Sequence, residues 1–140
     1  MTRFRTQIRE VINRNTVVSL AMEKGFNAYL PVYDGGVDFI LYREEDSVTH
    51  KVQLKGRWII DRKYIGRDIW VAFPHAGHWY LVPHDTMVQQ AEEAGFTKTS
   101  SWTVGGAYSC PGLSKTLAAA CEPYRFESIA KVSAEAAGSS

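Results

Sequence analysis

The sequence has little of several features that define major protein classes. It contains only two cysteines, Cys110 and Cys121, in 140 residues, which is too few for a disulfide framework, and their spacing is not that of a zinc ribbon. No apolar run is long enough to span a bilayer. The opening MTRFRTQIRE lacks the apolar stretch of a secretory signal. We therefore expect a soluble, cytoplasmic protein with reduced thiols and no membrane partner.

Internal repeats and low-complexity linkers are also absent, and hydrophobic residues make up 45% of the chain. A chain of this length can bury a core without cross-links. We predict one domain over residues 1–132 and a disordered tail over 133–140, where the sequence consists mainly of small and polar residues.

Net charge is +1 and indicates no polyanion partner by itself, but the charges are unevenly distributed. Four arginines lie between residues 3 and 14 beside a single acid, Glu10, and six basic residues lie between residues 51 and 68 beside two acids. This asymmetry is typical of a basic surface that faces phosphate, although ordinary surface charge would give the same pattern.

Apolar spacing predicts a long first helix over residues 3–24, with Gly25 as its stop. Strands are predicted at 26–32, 37–43, 48–56, 69–74 and 78–83, and irregular structure at 57–67 and 101–112. Later helices are predicted at 86–94 with Asp85 as N-cap, from Ser114 to Cys121, and from 126 to about 135. The short strand connections require antiparallel pairs, so the fold class is α/β, a mixed sheet flanked by helices.

Polar residues cluster if strands 37–43 and 48–56 form a hairpin centred on Glu45 and Asp46. Residue numbers of opposed pairs then sum to 91, which places Asp38 opposite Gln53, with Lys55 on the same face. A slip of one residue would separate them.

Together these residues suit metal-dependent hydrolysis of a phosphodiester. Asp38 offers a carboxylate, Gln53 an amide oxygen and Leu54 a backbone carbonyl, which are the oxygen ligands that Mg²⁺ prefers. Lys55 can hold an attacking water or stabilise charge on a phosphate. For each residue alone, an ordinary exposed strand position is the simpler interpretation.

The order of these motifs resembles the PD-(D/E)XK nuclease superfamily, which has the restriction-endonuclease-like fold. The resemblance covers residues 3 to about 96: a long first helix, a GF junction at residues 25–26, DGGVD ending in Asp38, and QLK as the third motif. It is most similar to the small branch with Holliday junction resolvases and certain group I intron homing endonucleases, some of which carry glutamine at the acidic position.

The resemblance implies catalytic roles for Asp38, Gln53, Lys55 and a first-helix glutamate, here Glu10, with Mg²⁺ or Mn²⁺ as cofactor. It also implies DNA as partner and a homodimer or higher oligomer. This sequence departs from the family pattern in having Val37 in place of proline and Gln53 in place of a carboxylate. The glutamine removes one negative charge from the metal site, so we expect weaker metal binding.

A nucleic-acid surface is predicted on the basic segment, where Tyr64 lies among the charges. Its predicted contact residues are Lys51, Arg57, Trp58, Arg62, Lys63 and Arg67.

Three alternatives stay open. The protein could be a DNA-binding module that keeps the fold without cleaving, or a protein-interaction domain with an accidental polar cluster. A zinc site at His75, His78 and His84 is a third possibility, although no cysteine lies at useful spacing.

Overall fold

A computed structural model describes residues 2–129, and the predicted tail at 133–140 lies outside this range. The fold is mixed α/β, as predicted, with a long N-terminal helix. The helices are α1 (Thr2–Glu23), α2 (His84–Ala94), α3 (Ser100–Thr103) and α4 (Lys115–Cys121). The strands are β1 (Asn27–Tyr29), β2 (Phe39–Arg43), β3 (Val48–Leu54), β4 (Trp58–Asp61), β5 (Ile69–His75), β6 (His78–Pro83) and β7 (Ala107–Cys110). Short 3₁₀ turns occupy Arg62–Tyr64, Phe96–Lys98, Glu122–Tyr124 and Phe126–Ser128.

The main sheet has five strands in the order β1-β2-β3-β5-β6. Strands β3 and β5 run parallel and all other neighbours in this sheet run antiparallel. The hairpin of β2 and β3 has the predicted register, because Phe39 pairs with Val52 and Arg43 with Val48. Each pair sums to 91, so the predicted register is confirmed for residues 39–43 and 48–52. Asp38 lies directly before β2, and its N–H donates to the Val52 carbonyl at 2.8 Å.

Each face of this sheet carries its own apolar core, because successive residues of a strand point to opposite faces. On one face, Val17 and Ala21 of α1 pack with Phe39, Leu41 and other buried residues. The second core lies on the other face of β5, and it joins strands β4 to β6 to helices α2, α3 and α4. Its members include Trp58, Ile60, Val71, Phe73, Met87, Trp102 and Leu117.

Only the second half of α1 is packed into the first core. Residues 3–12 of this helix are exposed, whereas Val17 and Ala21 are fully buried. The helix ends where predicted: Gly25 adopts a φ of 93°, which favours glycine, and its N–H donates to the Met22 carbonyl at 3.0 Å. The side chains of residues 3–12 therefore lie outside the first core and are exposed.

Several local predictions were wrong. Residues 58–61 and 107–110 were predicted as irregular, but they form β4 and β7, which pair antiparallel in a separate two-stranded sheet. Helix α2 begins at His84 with Pro83 at its N-cap, so Asp85 lies inside the first turn and accepts from the Gly66 N–H at 3.0 Å.

Two further predictions concern helices in the second half of the chain. The cap of α4 is confirmed, since the Ser114 side chain accepts from the Leu117 N–H. Where a helix was predicted from residue 126, the structure has a 3₁₀ turn at Phe126–Ser128. Residues 130–135 of the predicted helix lie outside the described residues. Between residues 2 and 129, no helix has both the length and the apolar character needed to cross a membrane.

Candidate active site

The predicted catalytic residues meet in one open cleft of about 880 Å³ at the end of β3. One wall is the exposed half of α1, and the other wall comes from the loop before β2 and the end of β3. The α1 wall includes Arg5, Arg9, Glu10 and Arg14, and the sheet wall includes Asp34, Asp38, Gln53, Leu54 and Lys55. Thus Asp38, Gln53, Leu54, Lys55 and Glu10 all line the same cleft.

Asp38 is held at the start of β2 by two contacts with β3. Its N–H donates to the Val52 carbonyl at 2.8 Å, and its Oδ2 accepts from the Leu54 N–H at 2.7 Å. Oδ1 accepts no hydrogen bond from any residue that the structure describes. The N–H and C=O of a strand residue point to the same neighbouring strand. The Leu54 carbonyl therefore faces the same side as Asp38.

The electrostatic surroundings of Asp38 favour a cation. Burial raises the pKa of its carboxyl above the ordinary value, while the hydrogen bond from Leu54 opposes that rise. The charges of Asp34 and Glu10 raise the pKa further, and that of Lys55 lowers it. A positive ion beside Asp38 would offset both the burial and the repulsion between carboxylates.

Gln53 is buried, with 6% of its surface exposed. Its Nε2 donates to the Tyr64 hydroxyl at 2.6 Å. Its Oε1 accepts no hydrogen bond from any residue between 2 and 129. The amide oxygen is therefore available to a ligand in the cleft.

The oxygen atoms of Asp38, Gln53 and the Leu54 carbonyl are chemically suited to bind a hard divalent cation. This set consists of one carboxylate, one amide oxygen and one backbone carbonyl, all of them oxygen. Among the described residues, no group of three or more His, Cys, Asp or Glu side chains is placed to hold a metal ion. The zinc site considered at His75, His78 and His84 therefore has no support: His84 is 1% exposed, and His78 pairs with Glu127 at 2.9 Å.

The predicted nucleic-acid surface needs a correction at Trp58. This side chain is 1% exposed, lies in the second core and donates from Nε1 to Gln90 Oε1 at 3.4 Å. A ring enclosed in this way is unable to stack on a base. Tyr64, at 6% exposure, is enclosed as well.

Most of the basic residues predicted for this surface also stabilise the fold. Lys51 Nζ donates to the Arg67 carbonyl at 2.7 Å, and Arg67 Nη2 donates to the Gly35 carbonyl at 2.7 Å. Arg62 Nη1 donates to the Thr103 carbonyl at 3.2 Å. Lys63 lies 3.8 Å from Asp61, and Arg57 is exposed.

The structure adds cleft residues that the sequence-based site did not include. Arg5, Arg9 and Arg14 line the cleft on the α1 side, and Asp34 lines it on the sheet side. A signal for the arginines was present: positions 5 and 9 lie one helical turn apart, as do Glu10 and Arg14. Asp34 lies in the loop before β2, where the Gly36 N–H donates to its Oδ1 at 3.0 Å and fixes the loop beside Asp38.

Comparison with known proteins agrees with this architecture. No family model matches the sequence, and no curated protein sequence matches it. The solved structure of a bacterial homing endonuclease, I-Ssp6803I, aligns with this chain at a TM-score of 0.51 and 15% sequence identity, covering 87% of each chain. At this identity the likeness concerns the fold, so the chain has a nuclease-like α/β fold.

Proposed function

We propose that this protein is a metal-dependent endonuclease that hydrolyses phosphodiester bonds in DNA. The observation that carries the proposal is the convergence in one cleft of Asp38, Gln53, Lys55 and Glu10 with arginines of α1. The homing endonuclease that shares the fold supports DNA as the substrate. We further propose that the site is a variant of the PD-(D/E)XK site in which Gln53 occupies the second acidic position.

Asp38 Oδ1, Gln53 Oε1 and the Leu54 carbonyl would hold Mg²⁺ or Mn²⁺ at the sheet wall. A bound cation supplies charge stabilisation to a phosphate that gains negative charge during the reaction. Only one of the three proposed ligands is an anion, so this chain should bind the cation more weakly than a site with two carboxylates.

Lys55 is proposed to act on the attacking water and on the phosphate. Its ammonium group can donate hydrogen bonds to both, which orients the water and stabilises the charge that develops on the phosphate oxygens. In the hydrolysis, the water oxygen bonds to phosphorus and one phosphorus–oxygen ester bond breaks. One proton of the water stays with the phosphate and the other moves to the leaving oxygen. The products are a phosphate monoester and a hydroxyl.

The α1 wall is proposed to bind the DNA backbone. Arg5, Arg9 and Arg14 present permanent positive charges across the cleft from Asp38, and arginine side chains bind phosphate through paired hydrogen bonds. Glu10 lies among them and is proposed to complete the catalytic set on this side.

Replacement of Asp38 tests this function against that of a DNA-binding module without cleavage. Purified protein and an Asp38→Ala variant are incubated with branched, nicked and linear DNA in Mg²⁺ or Mn²⁺. We expect cleavage by the native protein and loss of at least about 100-fold in the variant, with DNA binding retained. Binding without cleavage by the native protein would favour the inactive module, and lack of binding at moderate salt would contradict both.

A homodimer is proposed because α1 carries an exposed apolar stripe, one member of which, Val11, also lines the cleft. Phe4, Ile8, Val11 and Met22 are each 45–60% exposed. Phe4, Ile8, Val11 and Asn15 follow the alternating spacing of four and three residues that defines a coiled-coil seam, and the next seam position, Val18, packs against the first core. Asn at one seam position is the device by which such helices fix their register. A second copy of α1 presents the same stripe, so the surface is self-complementary.

The dimer leaves the clefts open for two strands of a duplex. Glu10 is two residues from Ile8, which places it about 200° around the helix. A contact centred on Phe4 and Ile8, which do not line the cleft, therefore leaves Glu10 facing the DNA, and the two copies supply the two sites that double-strand cleavage needs.

Substitution of Ile8 by glutamate is expected to dissociate the dimer. An unpaired charge at the centre of an apolar contact should weaken association by at least about 100-fold. Light scattering after size-exclusion chromatography measures the mass. Val104→Glu is the matched control, since Val104 is also apolar, is 85% exposed and directly follows α3, which packs in the second core. A native protein that is monomeric at high micromolar concentration would contradict the dimer.

A further inference from the structure

Tyr64 is buried and is joined to the cleft residue Gln53 by a hydrogen bond. Its hydroxyl oxygen accepts from Gln53 Nε2 at 2.6 Å, and both side chains are 6% exposed. A hydrogen bond in a buried setting is costly to leave unmade, so it fixes the orientation of the amide.

The Tyr64 ring is held in place from several directions. The His84 ring packs against it edge-on at 5.8 Å between centroids, and the Arg67 guanidinium lies 5.7 Å from its centroid. The loop before Asp38 also approaches it, because a Cβ atom at Gly36 would lie 2.7 Å from Tyr64 Cε1. Glycine at position 36 is therefore required both for this close approach and for its φ of 99°.

His84 contributes a rigid support to this arrangement. It is 1% exposed, and its Nε2 accepts from the Asp61 N–H at 3.0 Å. That nitrogen therefore carries no proton, and burial lowers the pKa of the ring. The Tyr64 ring thus packs against a neutral imidazole whose orientation is fixed.

An amide differs from a carboxylate because its two ends are chemically distinct. The nitrogen end of Gln53 is engaged by Tyr64, which leaves the oxygen end for the cleft. A glutamate has two equivalent oxygens and needs no such selection. We propose that Tyr64 is a positioning residue that orients the Gln53 amide so that Oε1, and not Nε2, faces the bound cation. The inference rests on the proposed function, because it assumes that Gln53 is a cation ligand.

The direct test is the affinity for Mn²⁺, measured by titration calorimetry on four proteins: native, Tyr64→Phe, Gln53→Glu and the double variant. Phenylalanine keeps the ring that packs on His84 and Gly36 and removes only the hydroxyl. Loss of an outer hydrogen bond to a metal ligand typically costs 10- to 100-fold in affinity. We therefore expect Tyr64→Phe to bind Mn²⁺ at least about 10-fold more weakly than the native protein.

The Gln53→Glu variant distinguishes an effect of Tyr64 on the orientation of the amide from a general effect of Tyr64 on packing. With Glu at position 53, removal of the Tyr64 hydroxyl should change Mn²⁺ affinity by less than about 3-fold, because either oxygen can serve as ligand. Tyr108→Phe is the matched control: Tyr108 is half-buried and stacks on Phe96 at 4.3 Å, outside the cleft. It should bind Mn²⁺ as the native protein does.

The possible results distinguish the positioning role of Tyr64 from the proposed metal site. Native affinity in Tyr64→Phe, or an equal fold-loss in both backgrounds, would overturn the positioning role while leaving the metal site intact. Absence of Mn²⁺ binding in both the native protein and Gln53→Glu would overturn the proposed metal site, and the positioning role with it.

Discussion

Replacement of Lys55 by alanine is expected to lower the rate of DNA cleavage by about 10²- to 10⁴-fold. Lys55 lines the cleft beside Asp38, and its backbone N–H donates to the Ala72 carbonyl at 2.9 Å. This hydrogen bond anchors the backbone of residue 55 to β5. Loss of the Lys55 side chain should remove a group that acts on the reacting atoms. Single-turnover cleavage at saturating DNA measures this effect on the chemical step.

Lys51→Ala is the matched control for Lys55→Ala. Lys51 lies on β3, and Lys55 directly follows the end of that strand, four residues later. Lys51 donates to the Arg67 carbonyl outside the cleft. We expect Lys51→Ala to retain the native single-turnover rate within about 5-fold, since it removes equal charge without touching the reacting atoms. Similar losses in both variants would show that charge alone, and not the position of Lys55, governs cleavage.

Replacement of Trp58 by alanine is expected to destabilise the protein by about 3–5 kcal/mol. Trp58 is 1% exposed within the second core, where its ring meets Phe96 edge-on at 6.0 Å between centroids. Removal leaves a cavity between β4 and α2 and also leaves Gln90 Oε1 without the indole donor. Urea denaturation of the purified variant measures the free energy of unfolding.

Arg57→Ala serves as the control, because Arg57 is adjacent to Trp58 and exposed. Its free energy of unfolding should stay within about 0.5 kcal/mol of the native value. If Trp58→Ala kept native stability and instead lost affinity for DNA, the core position of this ring would be contradicted and a base contact supported.

The hairpin carrying the site could be predicted from sequence because its constraints are local. Residues 37–43 and 48–54 alternate along strands joined by a four-residue turn, and such a turn sets the register. The paired register ends at Phe39 and Val52, and Asp38, Gln53 and Lys55 lie just beyond that end. The contribution of Glu10 was predicted from the family resemblance, and the fold brings it into the same cleft.

The second sheet could not be predicted in the same way, because its pairing joins distant parts of the chain. Ile59 pairs with Ser109 and Ile60 with Tyr108, so neither strand has a neighbour close in sequence. Trp58 was misread for the same reason: among basic residues it resembles a base-stacking side chain, and its burial comes from α2 and β7. The hydrogen bond between Gln53 and Tyr64 is also tertiary, so the residue that orients the amide was identified only as a possible nucleic-acid contact.

We propose that Asp38, Gln53 and Leu54 form one cation site in the cleft. The most direct measurement is a crystal structure of the native protein grown with Mn²⁺, with data collected at a wavelength where manganese scatters anomalously. We predict one strong anomalous peak about 2.0–2.3 Å from Asp38 Oδ1, Gln53 Oε1 and the Leu54 carbonyl oxygen. A peak confined to the histidines outside the cleft would contradict this site. Absence of any peak, in crystals of a protein that binds Mn²⁺ in solution titration, would contradict it as well.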